Sequence, residues 1–271
     1  MDSTVFLSPL APLQPYKIAA ALVLVRMMAM MLVMPAFTRL GATGVVRAGI
    51  ALVLALPMIP LVAQFVPSID LTPGAVAILM IKEAAVGGII GLVLGVPLWA
   101  AEAAGDILDL QRGASMATLT NPSNGDETSV TGTLLAFTML ALFFVSGGVA
   151  VTLRVIYDSY ALWPATATLP QLGSTTGSVL LRLLDEIVAL GLMLAVPLVA
   201  CLFVADVVIA LLSKAAPNLN VFDLSFALKN LLFAVLIALY CAFLVSYMKS
   251  DLALFDGMSR RLESIARPST P

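Results

Sequence analysis

Charged positions are spaced so widely along this 271-residue chain that the gaps between them form apolar runs of membrane-crossing length. About 20 helical residues are needed to cross roughly 30 Å of hydrocarbon. The first run, 17–37, is interrupted only by Arg26. The second, 48–66, lies between Arg47 and Asp70. The third opens near Thr72, contains Lys82 and Glu83, and has no charge from Ala84 to Ala101. The fourth lies in the uncharged stretch from Thr128 to Leu153, the fifth is 187–205 and the sixth runs from Asn230 to Met248. The pattern predicts an all-α, multi-pass helical membrane protein with about six long hydrophobic helices.

The interruptions organise the rest. Residues 67–73 read as a short turn, and 154–178 are rich in Pro, Gly, Ser and Thr. Residues 206–229 hold Asp206, Lys214, Asp223 and Lys229 around Pro217. The stretch 102–127 is polar and punctuated by Gly105, Gly113, Pro122 and Gly125. It is longer than the roughly 2–8 residues that usually connect helices. A re-entrant or pore-lining segment fits it, because irregular backbone at membrane depth survives where it is buried in protein or lines a watery cavity. A segment 1–16 therefore precedes a single helical domain, 17–248, and a charged tail, 249–271, reads as surface or disordered chain.

Composition strengthens this reading. The chain is 61% hydrophobic and 11% charged, against about 25% charged in a typical soluble domain, and its mean hydropathy is +1.07. A net charge of −2 leaves no footprint for nucleic acid. The absence of histidine removes Ser-His-Asp and Cys-His catalysis and any His proton relay. Cys201 and Cys241 lie inside apolar runs and read as small packing residues. The first run follows Asp2, Pro9, Pro12 and Pro15, and reads as an uncleaved span. With six spans, seven Lys and Arg residues fall on one side and five on the other, so the positive-inside rule sets no orientation.

A few residues stand out against the apolar background. Arg26 near the middle of a span would cost a few kcal/mol in lipid. Burial against a carboxylate on a partner is favoured over a transport role. Lys82 and Glu83 are adjacent, about 100° apart on a helix, and read as the start of a shorter span. Arg182, Asp185 and Glu186 have the spacing of an ion-paired helix end. Gly87, Gly91 and Gly95 form a GxxxGxxxG stripe beside Gly88, which predicts close helix packing. No GK[ST] follows these glycines, so they are not a phosphate loop. Asp106 and Asp109 could be paired for acid–base chemistry, but no nucleophile, metal motif or cofactor fingerprint lies near them. The expectation is a protein that is not an enzyme and needs no cofactor.

Four blocks occur in an order that resembles the SctT/FliR family, the export-gate subunits of type III secretion and flagellar systems. They are the Arg26 span leading to MPAF (34–37) and Arg47; AAGDILDLQRGASMATLTNPSNG from Ala103; LFFVSGG (142–148) with SYALWP (159–164); and PLVACLFVADVVIALLSKAAPNLNVFDLSFALKNLL from Pro197. The likeness spans roughly 16–248. One departure is Val149, where the family often has His. The motif variants lean towards an injectisome and away from a flagellum.

The resemblance implies a subunit that assembles with SctR/FliP-like and SctS/FliQ-like subunits, and with SctU/FlhB-like and SctV/FlhA-like ones, into a gated conduit for unfolded secreted proteins. It implies the bacterial inner membrane, with the gate core raised partly into the periplasm and some helices facing partners as well as membrane lipid. It makes 102–127 a plug-like loop carrying pore residues Gly105, Asp106, Asp109, Gln111, Arg112, Gly113, Asn121, Pro122 and Gly125. It makes 187–248 a hairpin resembling SctS/FliQ. Its implied subunit-interface residues are Arg26, Arg47, Lys82, Glu83, Gly87, Gly91, Gly95, Asp206, Lys214, Pro217, Asn220 and Lys229.

Three other readings compete. A small-solute secondary transporter would show paired halves with broken helices and a midplane charge cluster, and no repeat between the halves is visible. An intramembrane enzyme would need a His, a metal motif or a nucleophile motif. A structural scaffold merges with the export-gate reading, because such a subunit works by building a conduit.

Overall fold

The computed structural model describes residues 13–41, 44–68, 72–114, 129–167, 176–215, 221–252 and 262. Among the described residues every regular element is helical. They are α1 (Gln14–Val33), α2 (Pro35–Thr38), α3 (Gly44–Ala55), α4 (Ile59–Ala63), α5 (Pro73–Arg112), α6 (Val130–Val145), α7 (Gly148–Leu162), α8 (Thr176–Ala215) and α9 (Val221–Leu252), with a 3₁₀ turn at Val66–Ser68.

Among the described residues four helices are long and apolar enough to cross a membrane: α1, α5, α8 and α9. The bent pair α6 and α7 brings the number to five if it is taken as one broken span, and otherwise is a re-entrant loop. The multi-pass reading stands, and the expectation of six long helices is corrected at two of the six runs. The second run breaks because Pro57 and Pro60 remove backbone donors and restrict the residues before them. It leaves a 12-residue α3 and a 5-residue α4. The Leu54 carbonyl near the end of α3 accepts instead from the Tyr157 hydroxyl at 2.8 Å. The fourth run breaks at Ser146–Gly147, where Gly147 has φ of +78°, a left-handed backbone that only glycine adopts without cost.

The third run, by contrast, is longer than the charge gaps suggest. Helix α5 continues without a break through 102–112, so the first part of the segment expected as a loop is helix. It ends in a Schellman turn: Gly113 has φ of +79°, its N–H donates to Leu110 O at 3.1 Å, and Ala114 N–H donates to Asp109 O at 2.9 Å. At 40 residues each, α5 and α8 hold about twice the helical residues that one crossing of the hydrocarbon needs.

The chain divides into two compact units. The first combines α1 to α4, α5 as far as Gly95, and α7. Here α1 packs against α3 and α4, and Leu22, Met27, Met30, Met31, Met34, Ile90 and Trp163 fill the core. The second combines α5 from Val96, α6, α8 from Arg182, and α9. Its core holds Leu98, Ala104, Leu108, Met139, Phe143, Leu194 and Leu202.

Candidate functional site

Among the described residues, each unit contains a polar cluster set in a largely apolar interior. In the first unit, Arg26 of α1 is fully buried. Its partner is Glu83 of α5: Nε lies 2.5 Å from Oε2 and Nη2 3.0 Å from Oε1. The remaining donors reach the C-terminal end of α7. Nη1 donates to Ser159 Oγ at 2.9 Å and Nη2 to Trp163 O at 2.8 Å. The guanidinium also lies 3.8 Å from the centre of the Tyr160 ring, a cation–π stack. Lys82 Nζ is 2.6 Å from Glu83 Oε1 and donates to the carbonyls of Pro164 at 2.7 Å and Ala165 at 3.0 Å.

Two cations thus share one carboxylate. The carbonyls at and just beyond the end of α7 accept what the carboxylate does not. A helix C-terminus has unpaired carbonyls and a partial negative charge, so cations suit it. Two expectations are corrected here. Arg26 has its carboxylate within its own chain, so no second subunit is needed to explain its burial. Adjacency also does not keep Lys82 and Glu83 apart, because the long Lys82 side chain reaches round to the Glu83 carboxylate on its way to the Pro164 and Ala165 carbonyls.

The glycine stripe builds this site. A Cβ on Gly87 would collide with the Arg26 carbonyl oxygen, and one on Gly91 would stand 2.6 Å from Met30 O. Glu83, Gly87 and Gly91 are spaced four apart, so one face of α5 meets α1. Gly95 is buried on the same helix.

In the second unit the cluster gathers around the end of α5 and the start of α6. Asp109 is buried. Its Oδ1 accepts from Arg112 Nε at 2.8 Å. Its Oδ2 accepts from the Ser129 hydroxyl at 2.7 Å and from Thr131 N–H at 3.1 Å. Ser129 is the N-cap of α6, and its Oγ accepts from Gly132 N–H at 2.8 Å. A carboxylate therefore faces the positive end of a helix, where it is favoured. Arg112 reaches further, to Thr131 Oγ1 at 3.1 Å and Asn230 Oδ1 at 3.4 Å, and lies 4.5 Å from the Phe233 ring centre. Behind this node, a Cβ on Gly105 would overlap the Gly132 backbone, so α5 and α6 cross main chain to main chain.

A second ion pair adjoins the first. Lys229 of α9 lies 3.0 Å from Asp206 of α8 and donates to the Gln111 carbonyl at 3.2 Å. Gln111 in turn donates from Nε2 to Asp206 Oδ2 at 3.2 Å. The end of α5 is thereby tied to both helices of the C-terminal hairpin.

The remaining predicted residues are scattered. Asp106 is exposed on α5, and Lys214 is exposed near the end of α8. Arg47 is half-buried on α3, with its Nε unpaired among the described residues. Asn121, Pro122, Gly125, Pro217 and Asn220 lie outside the described residues, as does almost all of the tail. Sequence reasoning missed Ser129, Thr131, Ser159, Trp163 and Asn230. Only Ser129 carried a usable signal, as a small hydroxyl residue directly before an apolar run. Among the described residues no group of three or more His, Cys, Asp or Glu side chains could hold a metal ion.

A family model described as bacterial export proteins, family 1, matches residues 18–254. Yop proteins translocation protein T of Yersinia pestis is 35% identical over 240 residues, 88% of this chain and 92% of that protein. The secretion system apparatus protein SsaT of Salmonella typhimurium is 31% identical over 233 residues, covering 83% and 87%. The flagellar biosynthetic protein FliR of Caulobacter vibrioides is 28% identical over 220 residues, covering 81% and 87%.

Proposed function

Because this chain belongs to the bacterial export proteins of family 1, we propose that it is an export-gate subunit of a type III protein secretion apparatus. The observation that carries this reading is the family match over nearly the whole chain, joined by secretion and flagellar relatives aligned along most of their length. The transporter alternative has no such support. Within the family we place the chain on the injectisome branch, since the two secretion relatives share 35% and 31% of positions and the flagellar one 28%.

The partners we propose are SctR/FliP-like and SctS/FliQ-like subunits, with SctU/FlhB-like and SctV/FlhA-like components beside them, and unfolded secreted proteins as the cargo. The location is the bacterial inner membrane, with part of the gate raised into the periplasm. The 40-residue length of α5 and of α8 supports this placement, because about 20 helical residues suffice for the hydrocarbon of one bilayer. The segment from Asp109 to Gly125, with Gly105 and Asp106 leading into it, is proposed as the plug of the conduit. Arg47, Lys214, Pro217 and Asn220 are proposed to face neighbouring subunits.

The test is to tag the C-terminus, extract native membranes in mild detergent and identify what co-purifies. One large complex containing SctR-like and SctS-like proteins is the expected result. If the chain runs alone while those proteins are expressed in the same cells, the gate reading fails. Deleting part of 116–127 tests the plug: the assembled gate should then leak small solutes, and unchanged permeability with intact assembly counts against it.

A further inference from the structure

Helix α3 is apolar but too short to span a membrane. Its 12 residues rise about 18 Å, little more than one leaflet of the hydrocarbon. The first unit holds it from one side. Ala51 and Ala55 are buried, α1 packs against the helix, and the Tyr157 hydroxyl donates to Leu54 O at 2.8 Å. The other side is uncovered. Val45, Val46, Leu52, Val53 and Leu56 are exposed, and a Cβ added to Gly44 or Gly49 would meet nothing within 4 Å.

Charge around the start of this helix has one sign. Between Asp2 and Asp70 the sequence has four cations, Lys17, Arg26, Arg39 and Arg47, and no acidic residue. Glu83 neutralises Arg26. Arg39 caps the end of α2 and Arg47 lies in the first turn of α3, so the two flank one corner of the chain. Both are half-buried, and Leu40 and Val46 beside them are exposed. We infer that this corner binds the headgroup of an anionic phospholipid, with Arg39 and Arg47 on the phosphate and the outer side of α3 along an acyl chain. A one-leaflet apolar helix that meets lipid along its side brings its end to headgroup depth. Arginines with buried stems there extend their guanidinium groups to the interface. A guanidinium matches phosphate with paired hydrogen bonds. Two of them in a stretch without acid favour a headgroup of net negative charge. The gate reading above puts Arg47 at the border of a neighbouring subunit, and on that reading the lipid lies between them.

The experiment uses the full-length chain purified in a neutral detergent. Phosphatidylglycerol or phosphatidylcholine with the same acyl chains is added, and native mass spectrometry counts the lipids bound at each concentration. The variants are Arg39→Gln, Arg47→Gln, both together, and Arg154→Gln as a control at an exposed arginine of α7. Thermal unfolding in lipid-free detergent checks that each variant folds. A parallel titration adds inorganic phosphate to the lipid-bound wild type.

Wild type is expected to prefer phosphatidylglycerol, with each arginine contributing about fivefold. The preference falls by about that factor in each single variant, disappears in the double variant and stays intact in Arg154→Gln. Inorganic phosphate leaves the lipid in place, because the acyl chain also holds it. Equal binding of the two lipids to wild type overturns the site. So does a preference that survives in the double variant, or one that Arg154→Gln reduces as much as Arg47→Gln does. Displacement by inorganic phosphate overturns the lipid as the occupant. If the double variant does not fold, the two single variants decide by the same loss. Co-purification of gate subunits is read separately, so a failed gate reading and a failed lipid site stay distinguishable.

Discussion

Removing the Glu83 carboxylate would leave Arg26 and Lys82 as two buried cations facing only carbonyls, a hydroxyl and an aromatic ring. Breaking a buried ion pair from one side costs about 3–5 kcal/mol, most of it the uncompensated charge. Glu83→Ala is therefore expected to abolish accumulation of the protein in the membrane, measured by quantitative blotting of membrane fractions. Replacing both members of a pair is gentler. Arg26→Met combined with Glu83→Gln should accumulate better than Glu83→Ala, because only Lys82 then stays charged and its two carbonyl acceptors remain. A double variant no better than the single one would show that shape, and not charge balance, governs this core.

Among the helices, three glycines do three different things. Gly147 breaks the fourth apolar run through its left-handed backbone, with no neighbour near an added Cβ. Gly113 stops α5 through a Schellman turn, and an added Cβ would lie 3.8 Å from Phe226, an ordinary contact. Gly105 has ordinary helical geometry, but it has no room for any side chain at all. Alanine at Gly147 or Gly113 should cost about 1–2 kcal/mol from backbone strain alone. Alanine at Gly105 must push α5 from α6, and overpacking of this kind costs roughly 1–3 kcal/mol or more. Thermal unfolding in detergent should rank Gly105→Ala below both others in stability. The reverse ranking would mean that the α5–α6 crossing relaxes freely.

At the scale of the whole molecule, the chain leaves much of its apolar surface uncovered. Only 17% of the most apolar window of α9 and 28% of that of α8 are buried, against 39% for α1 and 44% for α5. Phe203, Leu231, Leu239 and Phe243 are among the residues left exposed there. In a membrane without a strong hydrophobic drive between helices, such faces meet lipid or a neighbouring helix. In the proposed hetero-oligomer, neighbouring subunits would take the place of lipid on part of these faces. Cys201 and Cys241 are free and exposed on these two helices, which gives a direct readout. A photocrosslinking amino acid placed at Cys201 or Cys241 should join the chain to a neighbouring subunit in the assembled complex and give no protein adduct when the chain is expressed alone. An assembled complex without adducts would place both positions on a lipid-facing side.

The sequence by itself determined that this is a multi-pass helical membrane protein, because hydropathy and the scarcity of charge depend on composition along the chain and not on what it touches. It also marked Arg26, Lys82 and Glu83 as unusual, since charge inside apolar runs is costly whatever the fold. The order of its motifs carried the family. What the tertiary structure alone decided was which of these charges meet. Arg26 and Glu83 lie 57 positions apart, and Arg112 and Asn230 lie 118 apart. No local periodicity encodes contacts of that range. The breaks at Pro57 and Gly147 were visible as residues, but hydropathy runs straight through them, so they were averaged away. Continuation of α5 to Arg112 was hidden for the opposite reason. Its polar residues resemble a loop in sequence, and only packing against α6, α8 and α9 gives those side chains partners that let the helix stay polar and ordered.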